Sequence, residues 1–247
     1  MIIRYLLFIS MFIFFIDSAK GQDPLESPIG VGLFRVSLNS PIPLYHSIDD
    51  KKAYDTIKFE RVSDGDDKGI FVFHTKDTKL IPYLYYSGSS DLETDRLISH
   101  GLTYMVPKLV FKVTTKSENT VEVILNEKTG KRGVIKFDDQ HKLYIEGKSY
   151  WGFSNPQDAW YLYEAWETYL KRIMYINISE LIPGYEQPDG DLIRNLTLSS
   201  GYKVLEVKDE WMKIGQFQED PKFPEEVWIK WNDGYKPLIQ FVEEVYF

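Results

Sequence analysis

Residues 202–215 read YKVLEVKDEWMKIG, and a second compact run, EVWIKWNDG, follows at 226–234. The first stretch alternates apolar and polar side chains, breaks at Asp209-Glu210, and alternates again, which is the pattern of strand, tight turn and strand. The second is an aromatic strand closed by Asn-Asp-Gly. Successive side chains of a strand point to opposite faces, so Met212 and Ile214 share one side while Trp211 and Lys213 share the other. With Met212 and Ile214 in a core, Trp211 points outward. By the same parity Trp228 lies opposite Val227, Ile229 and Trp231.

Upstream, the chain is punctuated in the same way. GVGLFRVSL (30–38), TIKFERV (56–62), GIFVFHT (69–75) and LIPYLYYSG (80–88) are short β-rich runs bounded by Asp, Gly, Ser and Pro. KLVFKVTT (108–115), TVEVIL (120–125), RGVIKF (132–137) and KLYIEG (142–147) continue them, with NEKTGKRG (126–133) as a hairpin turn. Such spacing predicts a meander that closes into a barrel or sandwich. Two stretches predict helix. SDLETDRLIS (90–99) is short. NPQDAWYLYEAWETYLKRIMYI (155–176) has Asn155 to cap it, Pro156 in the first turn, and Asp158 at the positive end of the dipole. Its apolar face runs through Ala159, Leu162, Tyr163, Trp166, Tyr169, Leu170 and Ile173, with Glu164, Glu167, Lys171 and Arg172 on the wet face. That face packs against a barrel or between two domains; a membrane-interface or cofactor surface is the alternative.

After this helix come IPGYEQPDG (182–190), YKVLEVKDEWMKI and VWIKWNDG. Together they resemble a bacterial SH3-like domain, over about the last 65 residues. IPLYHSIDDKKA (42–53), VFKVTTKSENTVEVIL (110–125) and RGVIKF form a fainter copy, interrupted by an insertion from about Tyr54 to Pro107. The expected fold is therefore mainly β, with two small SH3-like barrels, the first carrying the long insertion, joined by the α-helix. The boundaries run 1–21, 22–150, 151–178 for the helical connector, and 179–247. The resemblance implies a ligand groove in which Trp211 stands beside Tyr185. Tyr185, Trp211, Trp228 and Lys213 are the expected binding residues, and an aromatic groove suits extended peptides or sugar rings. The alternative is that Trp211 covers the barrel end or the seam between domains. In the first copy Thr120 stands where the tryptophan would be.

The N-terminus reads as a secretory signal. Arg4 precedes the apolar run Tyr5–Ile16, which is too short to span a bilayer, and Ala19 and Gly21 supply small residues for cleavage after Gly21. An uncleaved anchor is the alternative. Cleavage would move the net charge from −8 to −9, leaving no stable membrane insertion. Scattered cations in an acidic chain give no footprint for nucleic acid or anionic lipid. The chain has no cysteine, so disulfides, thiolate metal sites and cysteine nucleophiles are excluded. An exported chain without disulfides leans towards a bacterial envelope, periplasmic or extracellular. In that setting the N-x-S/T patterns at Asn177 and Asn195 carry no meaning.

No chemistry converges. His46, His74, His100 and His141 stand far apart in the sequence, without metal-binding spacing, and no nucleophile or nucleotide-binding motif is present. Asp64, Asp66 and Asp67 lack a calcium-loop pattern and read as a solvated turn; SDGDD and QEDPKFPEE read as exposed loops. No catalytic residue, metal or cofactor is expected. The leading expectation is a non-catalytic envelope binding protein for peptidoglycan peptides or glycans. The alternatives are a periplasmic protein–protein, inhibitor or immunity-type module, whose acidity suits a basic target, and a hydrolase with an unidentified site.

Overall fold

A computed structural model describes residues 27–36, 40–62, 70–86, 108–137, 143–146, 160–173, 175–177, 181–196, 202–216 and 226–242. The first half contributes β1 (Gly32–Val36), β2 (Ile42–Leu44), β3 (Asp55–Val62), β4 (Ile70–His74), β5 (Leu84–Tyr86), β6 (Lys108–Lys116), β7 (Thr120–Asn126), β8 (Lys131–Lys136), β9 (Leu143–Glu146) and β10 (Trp160–Ala165). A helix, α1 (Trp166–Arg172), leads into β11 (Tyr175–Asn177), β12 (Ile182–Tyr185), β13 (Leu192–Leu196), β14 (Tyr202–Lys208), β15 (Trp211–Gln216), β16 (Val227–Lys230) and β17 (Gln240–Val242). The protein is mainly β. Its strands pair antiparallel except for β9 with β10, and the sheets stay open.

The predicted 155–176 helix is corrected. Residues 155–159 lie outside the described residues, as does the predicted helix at 90–99. Trp160–Ala165 is strand, set between β1 and β9 in the first sheet, and only Trp166–Arg172 is helical. The physical reason lies in the burial of β10 on both faces. Tyr161 and Tyr163 join one core while Leu162 and Glu164 are buried on the other side, at 1% exposure each. A strand covered on both faces has no polar alternation, so its apolar run also matches a helical period. Glu164 is therefore not on a wet face. Since β10 belongs to the first sheet, that unit extends through Ala165, past the expected boundary at 150, and the connector shrinks to seven residues.

The same two-sided burial explains how the halves meet. One face of β1 and β6 offers Phe34, Val36, Leu109, Phe111 and Val113 to a core within the first half. The opposite face offers Leu33 and Val110 to a second core shared with Trp166, Tyr169, Tyr202, Ile214, Trp231 and Phe241. The segment 27–31 laces across this joint. Ile29 N donates to Gly234 O at 2.8 Å, and the Trp166 indole donates to Ile29 O at 3.0 Å. Gly30, at φ 73°, runs so close to β6 that a Cβ would sit 2.2 Å from the Val113 carbonyl oxygen.

Two buried charge clusters sit at the joint. Glu164 takes a two-pronged pair from Arg172 at 2.6 and 2.9 Å and lies 3.7 Å from the buried Arg35. Both guanidiniums lie 5.5 Å from the Tyr169 ring centroid. Lys112, 3% exposed, binds Glu127 at 2.7 Å and donates to the carbonyls of Ser27 at 3.0 Å and Tyr235 at 3.1 Å. Buried charges persist only when paired and hydrogen-bonded in this way.

The two halves repeat one strand order. The second sheet runs β13-β12-β16-β15-β14-β11-β17. In the first half β3 pairs β2, Tyr45 bridges Val134 of β8, and β8-β7-β6-β1-β10 follow. The registers coincide in detail. A β-bulge falls between Val113 and Thr115 in β6, and another between Val204 and Glu206 in β14. Beyond the hairpin, Phe137 N donates to Asn119 O as Trp231 N donates to Glu210 O, each at 2.9 Å. Val121 and Val123 are as fully buried as Met212 and Ile214. Because β3 matches β13, the extra material of the first half begins after Val62 and not at Tyr54; β4, β5 and β9 have no counterpart among the described residues of the second half.

Candidate functional site: an aromatic ladder on the second sheet

The four residues expected from the sequence share one outward face. Tyr185 is paired with Trp228 across β12 and β16, and Trp228 with Lys213 across β16 and β15. Trp211 faces Lys230 in the same hairpin, on the side opposite the buried Met212 and Ile214. The rings of Tyr185 and Trp211 meet edge to face at 88° with centroids 5.2 Å apart, and both residues are half-buried. Such a pair contributes about 0.5–1.5 kcal/mol beyond its buried area. Trp228 is 8% exposed despite facing outward. It is therefore the floor of the ladder, and Tyr185 and Trp211 are its accessible rim.

Charged pairs frame the aromatics. Lys213 is bonded to Glu226, and Lys230 to Glu210 at 2.7 Å. The hydrogen bond that Lys230 donates to the Glu210 carboxylate raises its ammonium above its ordinary pKa. Trp231 braces the turn from below, its indole donating to Asp209 O at 2.9 Å, with Asp209 at φ 52°. On the outer margin Leu181, Leu192 and Ile193 are at least half exposed, and Leu192 pairs with Tyr185. Sequence reasoning missed this aliphatic margin, because the β12–β13 bulge at Gly184/Tyr185 shifts the parity there.

The first repeat presents the same ladder in a different state. Tyr45 pairs with Val134, Val134 with Glu122, and Thr120 with Lys136. Thr120 is 9% exposed. Lys136 lays its ammonium 4.4 Å from the Tyr45 ring centroid and donates to Asp50 O. One face of the half-buried Tyr45 ring is thus taken by a side chain of its own unit.

His46 stacks on Tyr54 at 3.8 Å, His74 sits exposed 3.2 Å from Glu60, and His100 and His141 lie outside the described residues, as do the acidic loops at 63–69 and 217–225. No group of three His, Asp or Glu fit to hold a metal occurs among the described residues. An open cleft of about 420 Å³ is lined by Tyr54, Asp55, Thr56, Lys58, His74 and Lys76. Its one buried carboxylate already has a task. Burial pushes the Asp55 carboxyl up, but hydrogen bonds from the amides of Asp77, Lys76 and Thr56 outweigh this and hold it far below the usual carboxylate range. Asp55 therefore anchors the 75–78 loop and is no base. No helix among the described residues is long and apolar enough to cross a membrane. No protein-family model, characterised protein or solved structure matches the chain.

Proposed function

We propose that the protein is an exported, non-catalytic binding protein of the cell envelope, built from two SH3-like units, which holds an extended peptide or glycan against Tyr185, Trp211 and Trp228. The half-buried edge-to-face pair of Tyr185 and Trp211, with Trp228 opposite Tyr185 in the sheet, carries this reading. A flat aromatic rim flanked by Lys213–Glu226 and Lys230–Glu210 matches ligands with apolar faces and polar edges. The strand order β13-β12-β16-β15-β14 supports the SH3-like assignment of the second unit, and the repeated order supports it for the first. Export rests on the N-terminal apolar run, and peptidoglycan follows as the ligand source from that compartment.

The test is co-sedimentation of residues 22–247 with purified sacculi, in parallel with Trp211→Ala checked for fold by circular dichroism. Wild type pellets at moderate salt and the folded variant stays in solution if the reading holds. Both proteins remaining in the supernatant would overturn wall binding.

A further inference from the structure

The two repeats place the same tyrosine and the same lysine at matching positions, yet the pair behaves oppositely. Tyr45 and Lys136 stand in the relation of Tyr185 and Lys230: each lysine lies two residues beyond the strand residue that pairs with the tyrosine. In the first repeat the ammonium sits on the ring, at 4.4 Å. In the second it turns to Glu210 at 2.7 Å, and Trp211 meets the tyrosine instead. Two consecutive positions of the hairpin differ at this place. Asn119-Thr120 in the first repeat is Glu210-Trp211 in the second, aligned by the pairs Thr120–Lys136 and Trp211–Lys230. Asparagine carries no charge to hold an ammonium, and threonine leaves room above the ring. Glutamate draws the lysine aside through a charge-assisted bond, and tryptophan fills the space it vacates.

We infer that Glu210-Trp211 is the dipeptide that keeps the lysine off the tyrosine of the second repeat and sets a second ring beside it for a ligand, whereas Asn119-Thr120 lets Lys136 take that place in the first, so that the chain binds through one repeat only. Glu210 acts here as a positioning residue, touching no ligand itself. The inference rests on the proposed binding face for its functional half, but the movement of the lysine is measured without any ligand.

The measurement is a carbon–proton correlation spectrum of the lysine ε-methylenes in the chain 22–247. The ring current of Tyr45 shifts Lys136 upfield of the exposed lysines, while Lys230 stays among them. In Glu210→Asn/Trp211→Thr, Lys230 moves upfield; in Asn119→Glu/Thr120→Trp, Lys136 loses its shift. Glu210→Asp retains the wild-type position of Lys230, which loss of fold or of local packing would not reproduce. A folded Glu210→Asn/Trp211→Thr variant with Lys230 unmoved overturns the inference; should that variant not fold, the reciprocal pair decides on the same criterion. Sacculus binding separates the two ideas. Loss in the first variant and a doubled load per chain in the second support both, whereas a wild type that never pellets sinks the ligand class and leaves the lysine resonances to judge the switch.

Discussion

Replacing Glu164 with glutamine tests whether the charge cluster between β1, β10 and α1 holds the two halves together. The substitution keeps the shape of the side chain and removes its charge. Glu164 is 1% exposed and Arg35 3%, so neither can turn to water, while Arg172 retains 25% exposure and can. The penalty therefore falls mainly on the more buried cation, Arg35, which loses the carboxylate facing it. Breaking a buried pair by removing one partner costs about 3–5 kcal/mol, and the escape of Arg172 places this case near ~3 kcal/mol. At roughly 2–4 °C per kcal/mol for a chain of this size, the melting temperature falls by about 6–12 °C. Glu167→Gln is the matched control, since its pair with Lys171 at 2.8 Å is exposed and worth only about 0.3–0.5 kcal/mol. Urea unfolding of 22–247, followed by tryptophan fluorescence and by circular dichroism, gives both numbers. Equal losses for the two variants would show that the buried cluster contributes no more than a surface pair.

Three further outcomes follow from other sites. Asp55 titrates lower in the folded chain than the ~3.9 of an unfolded one, so the unfolded state binds more protons below about pH 4 and stability falls there; Asp55→Asn removes that acid-side slope in a pH series of urea midpoints. Burial pushes the Tyr202 phenol up to about 12, so this group releases its proton only above the ordinary tyrosine range, and stability declines as pH rises from ~10 towards 12; a phenolate ultraviolet titration that lacks a late-titrating tyrosine would contradict this. Met212→Ala opens a cavity in the shared core and costs about 2–5 kcal/mol in the same unfolding assay, whereas Trp211→Ala, one residue away on the outer face, leaves no enclosed cavity and loses its ring contact, about 0.5–1.5 kcal/mol, on top of its half-buried area.

Most of the β framework is legible in the chain because its strands are bounded by turn residues and keep one wet side. Met212, Ile214 and Trp211 fall on the faces that alternation assigns them. The hairpin at 126–133 forms where Asn126 and Gly130 call for it, with Asn126 Oδ1 accepting from Lys128 N and Thr129 N. Alternation fails where both sides are covered. WYLYEA reads as helix because Tyr161 and Leu162 are equally buried on opposite faces, and Glu164 reads as solvated because its partner Arg35 is about 130 residues away in the sequence. The buried Lys112 is hidden for the same reason: its partners Ser27, Glu127 and Tyr235 are brought together only by the tertiary fold. The candidate face was legible in its aromatics, which sit at strand parity. Its aliphatic margin depends on a bulge, and its contrast with Tyr45 on the turn residue Glu210, which carries no periodic signal.

The shared core gives the repeated strand order an unusual consequence for dissection. Copies strung on a linker can be cut apart, expressed singly and shuffled, because each keeps its own interior. Here the reverse side of the first sheet has become the floor of the second unit, with Leu33 and Val110 standing beside Tyr202 and Trp231. A fragment beginning near residue 179 would carry an open interior into water and would aggregate before it could bind anything.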